Sequence, residues 1–380
     1  MARLTERLPL IGTSPGTARS LLVHRYGKRG ARPKAYLQAA LHADEIPAML
    51  ALHHLTRLLD EEAAAGGILG EIVLVPYANP IGLAQAVNGA HSGRYNLDGS
   101  GNFNRNWPDL GRGLAERLES RLTGDAGRNV ALVREALGEA VAGLAPASEM
   151  AALRIALIRL AYDADLLLDV HCDDDALLHL YLTPAHWPMA ADLAAELGCR
   201  AVMLSEDSGG NSFDETFSRP WLELAKRFPD QPVPPACLAG TLELRGRPDV
   251  SDELAAQDAG ALFRSLQRRG YVAGEVSPLP ELLCEAMPLT ATESLKAPAA
   301  GILSYTVRPG DRVEAGDRVA WLIDPAAEDP ARARSEIVAG TDGLVLSSRV
   351  DKYVLPGMLV MKIVGKEPLP GRVGGYLLDD

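Results

Sequence analysis

The chain lacks a surplus of positive charge: 38 Lys and Arg face 50 Asp and Glu, for a formal net charge of -12. Nucleic acids and anionic membranes are held by neutralising phosphates, so this balance argues against both as partners, and an anionic substrate would need locally placed arginines. Cysteine is sparse. Cys172, Cys199, Cys237 and Cys284 are scattered without a Cys-x-x-Cys pair, which indicates neither a zinc knuckle nor a disulfide scaffold and leaves four reduced, small apolar residues. No apolar run approaches the roughly 20 residues that span a bilayer, and the first residues lack the basic-then-apolar pattern of a signal peptide. A cytoplasmic protein is expected. What is plentiful is core material: 47% of the 380 residues are hydrophobic and 23% charged, as in soluble proteins with a main domain and a smaller one.

The stretch Leu37 to Glu45 organises the rest. An apolar, strand-like run ends in His42, Glu45 follows three residues later, and Pro47 opens a helical pattern of Ala48, Met49, Ala51, Leu52, Leu55, Leu58 and Leu59. An imidazole and a carboxylate at such a turn can take two corners of a tetrahedral metal site; a catalytic zinc needs one more protein ligand and leaves a corner for water. The same spacing also describes a partly exposed His and a first-turn Glu favoured by the helix dipole.

Residues 21–26 and 34–41 read as two strands adjacent in a sheet, and Glu71 to Pro76 as another after the helix, so strand, helix, strand predicts an α/β sheet with crossovers. Residues 79–108 turn polar and rich in Gly and Asn, and long ordered loops in α/β domains are more often functional than idle. Arg94 and Arg105 are the candidate chemistry there, since a guanidinium binds a carboxylate or polarises a carbonyl oxygen; pairing with surface acids is the competing use. Residues 110–162 carry helical spacing, broken near Gly124 and around 143–148, without a catalytic pattern.

Asp165 to Val170 is a strand running into His171, repeating the arrangement at His42 where open α/β sheets place ligands. Asp169 stands ready to take the other ring proton of a ligating His. The polar segment Glu206 to Glu215, including Asp214 and Glu215, either lines a pocket for a substrate amine or is a flexible connection. Leu238 to Leu244 is an apolar strand carrying a single acid, Glu243. An ionisable group there is costly unless paired or employed; it serves either as a general base near a metal-activated water or as the partner of Arg245 on an edge strand. A helix over about 251–269 closes this part.

Past Gly270 a connector (273–293) leads to short Val- and Ile-rich strands. Ala297 to Gly301 with Val313 to Ile323 resembles Ala339 to Gly343 with Val354 to Val364, an internal duplication that fits a small β-barrel or sandwich.

His42-x-x-Glu45 after a strand, Asn79-Pro80, Arg94-Tyr95, Asn104-Arg105-Asn106, Asp169-Val-His171 and the later Glu243 together resemble the succinylglutamate desuccinylase and aspartoacylase family, itself related to zinc carboxypeptidases. The match spans roughly residues 35–250. It departs from the family pattern at Ala43-Asp44, where Gly is usual, and at Asn102-Phe103, where Asp-Leu is common. The resemblance implies a mixed-sheet, zinc-carboxypeptidase-like domain flanked by helices (1–272, with a helical insertion at about 110–162) and a small all-β domain (294–380) of the biotinyl/lipoyl type. It implies that His42, Glu45 and His171 bind one Zn2+ per chain, that Glu243 acts as base and then acid, that Arg94 polarises the scissile carbonyl, and that Asn104 and Arg105 hold the substrate carboxylate. The expected activity is hydrolysis of the linear amide of an N-acyl amino acid. A carboxypeptidase acting on short or γ-glutamyl peptides and a non-catalytic binding protein with a degenerate site are the alternatives. No lysine stands in Asp324 to Ser335, where a carrier lysine belongs; Lys352 falls elsewhere. The tail is therefore read as structural, as a lid or an oligomer contact, and a homo-oligomer stays open.

Overall fold

A computed structural model describes residues 2–12 and 14–372. Nine strands form the main sheet: β1 Leu4–Pro9, β2 Ser20–Tyr26, β3 Lys34–Ala39, β4 Glu71–Val75, β5 Leu166–Asp173, β6 His179–Leu182, β7 Ala201–Leu204, β8 Leu238–Gly246 and β9 Ala286–Pro288. Their order is β1-β2-β4-β3-β5-β8-β6-β7-β9. The centre, β4-β3-β5-β8, is parallel, and antiparallel pairings flank it at β2/β4 and β8/β6. The neighbour expected for β2 was β3; β4 lies between them instead. A β3-helix-β4 crossover places β4 beside β3, and β2 then pairs with its free edge.

The fold is mixed α/β with helices on both faces. The helix Pro47–Ala65 begins with Pro at its first turn and ends on left-handed Gly66 (φ 81°), whose N–H caps the last carbonyls. Its stripe of Leu52, Leu55 and Leu59 packs with residues of Trp187–Leu197 and Asp252–Arg268 over one face. Helices Ala126–Ala142, Glu149–Ala161 and Phe213–Arg227 cover the other. No helix of the described residues is long and apolar enough to cross a membrane.

Beyond β9, the described residues form strands and short 3-10 turns. Gly301–Tyr305, Arg312–Val313 and Arg318–Ile323 recur in the same order as Gly343–Ser348, Tyr353–Val354 and Leu359–Val364, so the duplication is visible in the structure. These strands enclose a core containing Leu303, Val319, Leu322, Val345, Val360 and Ile363. The C-terminal segment is tied to the main sheet in several ways. Asp175 and Ala176, just past β5, pair with Ser348 and Ser347; β9 extends the main sheet next to β7; and Met203, Leu289, Leu346 and Val364 share an apolar cluster.

Outside the site, burial of a histidine makes the fold acid-sensitive. His186, at the head of helix Trp187–Leu197, is wholly buried, and neither ring nitrogen makes a full hydrogen bond. Burial outweighs the nearby backbone of Ala239 and Cys237 and pulls its pKa down from 6.5 to about 4. The unfolded chain therefore takes up this proton first, so the contribution is complete above pH 6.5 and is lost as pH falls toward 4. Between pH 7 and pH 5 the loss is about 2 kcal/mol by linkage. Urea unfolding of the wild type and His186→Leu at both pH values should show a pH dependence shallower by that amount in the variant.

Candidate metal centre

Three neighbouring parallel strands bring their carboxyl ends to one place. In register, Ala39 of β3 faces Val170 of β5, and His171 faces Glu243 of β8. His42 comes three residues after β3, through a turn opened by Ala40 in the left-handed region (φ 55°). A side chain other than Gly in that conformation costs on the order of 1–2 kcal/mol, a strain located two residues before the candidate ligand. The crevice outside the carboxyl ends of parallel strands is where such sheets bind ligands.

The loop 79–108 holds this turn in place. Asn79 Nδ2 donates to the Leu41 carbonyl at 2.8 Å, and Asn79 Oδ1 accepts from Gly82 N–H at 2.8 Å. Gly93 packs directly on the turn: its carbonyl accepts from Ala43 N–H at 3.1 Å, and a Cβ there would lie 2.4 Å from Asp44 N. Gly93→Ala is expected to displace the His42–Glu45 turn, destabilise the fold by about 1–3 kcal/mol and weaken metal binding. Thermal unfolding together with metal content per chain checks both parts.

His42, Glu45 and His171 are buried, and one ligand atom from each lies within 4.8 Å of the others. Glu45 bridges the rings, with Oε1 2.9 Å from His42 Nδ1 and Oε2 2.7 Å from His171 Nδ1. The far nitrogens are also engaged. His42 Nε2 is 2.9 Å from Asn102 Oδ1, which therefore accepts its proton. His171 Nε2 is 2.9 Å from Asp169 Oδ2 and 3.4 Å from Asn104 Nδ2; the Asp169 contact is short although its alignment is not that of a full hydrogen bond. With protons on both Nε2 atoms, two Nδ1 lone pairs and a carboxylate converge on one point, an arrangement that only a proton or a cation there relieves. It is also how ligating histidines are fixed by partners behind them. Arg94 already brings positive charge to it, with Nη1 3.1 Å from His42 Nδ1 and 3.4 Å from Glu45 Oε1.

The electrostatics agree. Burial and Arg94 outweigh Glu45 and lower the His42 pKa, keeping the ring neutral. Burial opposes charge on His171, but Asp169 and Glu45 overcome it and raise its pKa well above the ordinary value. Burial likewise works against ionised Glu45, yet the two histidines hold its carboxyl well below the carboxylate range. This donor set fits a divalent cation with nitrogen and oxygen preference.

One cavity of about 110 Å³ receives His42, Glu45, Arg94, Asn104, Arg105, His171, Asp214, Glu215 and Glu243, all nine residues named from the sequence. Glu243 Oε2 is buried without a hydrogen-bond partner. Burial and the Glu45 charge push its carboxyl up to about 8. Arg245 turns away through a left-handed backbone (φ 61°) to pair with Asp258, and β8 is a central strand, so the edge-strand ion pair does not form. Asp214 and Glu215 stand in the first turn of helix Phe213–Arg227 rather than in a loop. Ser212 Oγ donates to Asp214 Oδ1 at 2.5 Å, and Ser208 N–H donates to Glu215 Oε1 at 2.6 Å, while Glu215 Oε2 has no partner. Burial and Glu215 raise Asp214 to about 6. Asn104 is partly committed to structure, its Oδ1 accepting from Phe213 N–H at 2.8 Å. Arg105 donates to the Asn104 carbonyl at 2.9 Å and packs on Gly210, where a Cβ would meet its Cδ at 2.4 Å. Tyr181, Thr183, Thr241 and Lys362 also face the cavity; nothing local in the sequence marks them.

Fold and site thus define an α/β protein with a buried His-Glu-His group able to hold a cation at the carboxyl ends of its central strands. Residues 31–140 match the succinylglutamate desuccinylase/aspartoacylase catalytic domain, a segment that includes His42, Glu45, Arg94, Asn104 and Arg105, and the chain's resemblance to that family is shown. A protein described as of this family from Shewanella amazonensis SB2B superposes with a TM-score of 0.82 at 24% identity, over 96% of this chain and 99% of that one. Another, from Shewanella frigidimarina NCIMB 400, gives 0.83 at 23%, over 95% and 97%. The product-bound ectoine utilization protein EutE (DoeB) of Ruegeria pomeroyi gives 0.67 at 20%, over 96% and 95%. At these identities the superpositions bear on the fold. A comparison with proteins of curated function finds no match.

Proposed function

We propose that the protein is a zinc-dependent deacylase that hydrolyses the amide bond of an N-acyl amino acid. The observation that carries this reading is an unpartnered, buried carboxylate oxygen on Glu243 in the same cavity as the converging His42, Glu45 and His171. Those three residues would hold one Zn2+ per chain. The ion supplies Lewis-acid activation there, bringing the pKa of a water from about 15.7 toward 7.

The chain's own groups account for the remaining steps. Glu243 takes the proton of the attacking water and later returns it to the leaving amine nitrogen. Its carboxyl is raised by burial and by Glu45, and a cation at the cluster would draw it back down toward the range useful to a base at neutral pH. Arg94 faces the negative charge that develops on the former carbonyl oxygen, and one such donor is worth about 3 kcal/mol. Asn104 and Arg105 hold the substrate carboxylate, and Asp214 with Glu215 receive an amine on substrates that carry one. The catalytic part spans residues 1–272, a connector 273–293 and a small all-β domain 294–380, and the reaction runs in the cytoplasm.

A panel of N-acetyl and N-succinyl amino acids beside dipeptides and γ-glutamyl dipeptides, assayed with zinc-loaded protein, tests the reading. Release of free amino acid from the N-acyl series is expected. Turnover confined to the peptides would make the protein a metallocarboxypeptidase, and well under one zinc per chain with no turnover would leave a degenerate site.

A further inference from the structure

Behind His171 a row of buried polar groups leads away from the cavity into the middle of the sheet. Asp169 of β5 is wholly buried, and its Oδ2 lies 2.9 Å from His171 Nε2. Gln38 of β3 is its register partner, so the two side chains share one face of the sheet. Gln38 Nε2 donates to Asp169 Oδ1 at 2.9 Å. Among the described residues this is the one full hydrogen bond to the Asp169 carboxylate, whose Oδ2 has none. Tyr36 stands two residues earlier on the same face and donates its hydroxyl to Gln38 Oε1 at 2.7 Å. Tyr36, Gln38 and Asp169 expose no surface, and the cavity is lined by other residues.

The donors in this row all point toward His171. A carboxylate only accepts, so the Gln38 amide turns its NH2 to Asp169. Tyr36 fixes that choice from the other side, because a flipped amide would set carbonyl against carboxylate and NH2 against hydroxyl. Burial and the Asp169 charge raise the Tyr36 pKa well above the ordinary value, so the hydroxyl keeps its proton to give. The Tyr36 ring is itself braced on Phe213, with centroids 5.9 Å apart. Held at Oδ1 by Gln38, Asp169 presents Oδ2 to the His171 ring proton. That keeps the proton on Nε2 and leaves the Nδ1 lone pair facing the cluster, where Glu45 Oε2 lies 2.7 Å away. Hydrogen bonds running in one sense also polarise one another. A buried amide in the apolar run Lys34–Ala39 costs stability unless it is satisfied, and here its partners are a tyrosine and the carboxylate behind a candidate ligand.

We propose that Gln38 is a positioning residue for the metal centre, acting through Asp169 on His171, with Tyr36 fixing the orientation of its amide. The assignment rests on the reading of His42, Glu45 and His171 as the zinc site. The strand that delivers His42 to the cluster then also sets the direction of the lone pair on His171.

Zinc affinity, measured by competition with a chromophoric chelator, tests this without depending on turnover. Gln38→Leu is expected to bind zinc about 10-fold weaker than wild type and Asp169→Asn about 10- to 100-fold weaker, the range for partners behind a ligand. Because Gln38 acts through Asp169, adding Gln38→Leu to Asp169→Asn should cost less than a further factor of about 2. Tyr36→Phe keeps the ring and should weaken zinc by about 2- to 10-fold, the worth of one neutral hydrogen bond. Gln38→Leu leaves Asp169 without its donor and can unsettle the fold; Tyr36→Phe, with its own Asp169→Asn cycle, then carries the same test. Proton NMR of the zinc-loaded protein adds a readout that a purely structural role would not move. The His171 Hε2 resonance, far downfield when bonded to a carboxylate, should shift upfield or exchange away in Gln38→Leu. Affinities within about 2-fold of wild type in both single variants, full additivity with Asp169→Asn, or an unmoved His171 resonance would each overturn the assignment alone. A wild type that binds no zinc would overturn the metal reading and the assignment with it.

Discussion

Glu243→Gln should retain the full complement of metal and lose turnover by a factor of about 10²–10⁴, the range a positioned general acid-base group contributes. The carboxylate is not among the three groups that converge as ligands, so a metal analysis separates this variant from one that merely empties the site. Glutamine has the same shape, so packing in β8 is kept. It also removes an unpartnered, desolvated carboxyl, and the variant is therefore expected to unfold at the same temperature as the wild type or slightly above it. Activity exchanged for stability in this way is common where a site holds a costly group. A rate within a few-fold of wild type at equal metal content would remove Glu243 from the chemistry.

Zinc itself should stabilise the fold, and Glu45 should be the residue on which that depends most. At a free concentration about 1,000 times the dissociation constant, a ligand that binds only the folded state adds about 4 kcal/mol. For a chain of 380 residues, with an unfolding entropy of roughly 2.1 cal/mol/K per residue, this corresponds to a rise in Tm of about 5 °C. A chelator should reverse the rise. Glu45→Gln replaces the carboxylate that touches both rings with an amide whose nitrogen repels a cation, and its Tm should not respond to zinc. Calorimetric scans with zinc, with chelator and with neither decide the point; an undiminished response in the Gln variant would place the ion elsewhere.

The convergence of His42, Glu45 and His171 was legible because His42 and His171 each follow a continuous apolar run, and parallel strands deliver such positions to one edge of a sheet. Asn102 was visible only as a departure from the family pattern. That it accepts from His42 Nε2 depends on a loop closing over 60 residues, and no local period records this. Helix Phe213–Arg227 was missed for another reason. Phe213, Phe217, Trp221 and Leu224 carry the helical spacing, but Pro220 sits among them and interrupts the pattern by which a helix is read. β2 and β3 were placed side by side because they are consecutive, whereas β4 reaches the shared edge through its crossover. Lys362 lies furthest from inference, since its place is fixed by the pairing of Asp175 and Ala176 with Ser348 and Ser347 from a distant part of the chain, and no local pattern records that pairing.

The way the C-terminal strands are tied to the residues after β5 has a bearing on biogenesis. A cavity wall supplied by position 362 of 380 does not exist while most of the protein is being translated, although His171, the last of the His42, Glu45 and His171 group, emerges at about the midpoint. During that interval the half-built centre is open on the side that Lys362 later occupies. A chain shortened from its carboxyl end before residue 362 would keep His42, Glu45 and His171 in its sequence while lacking this side of the cavity.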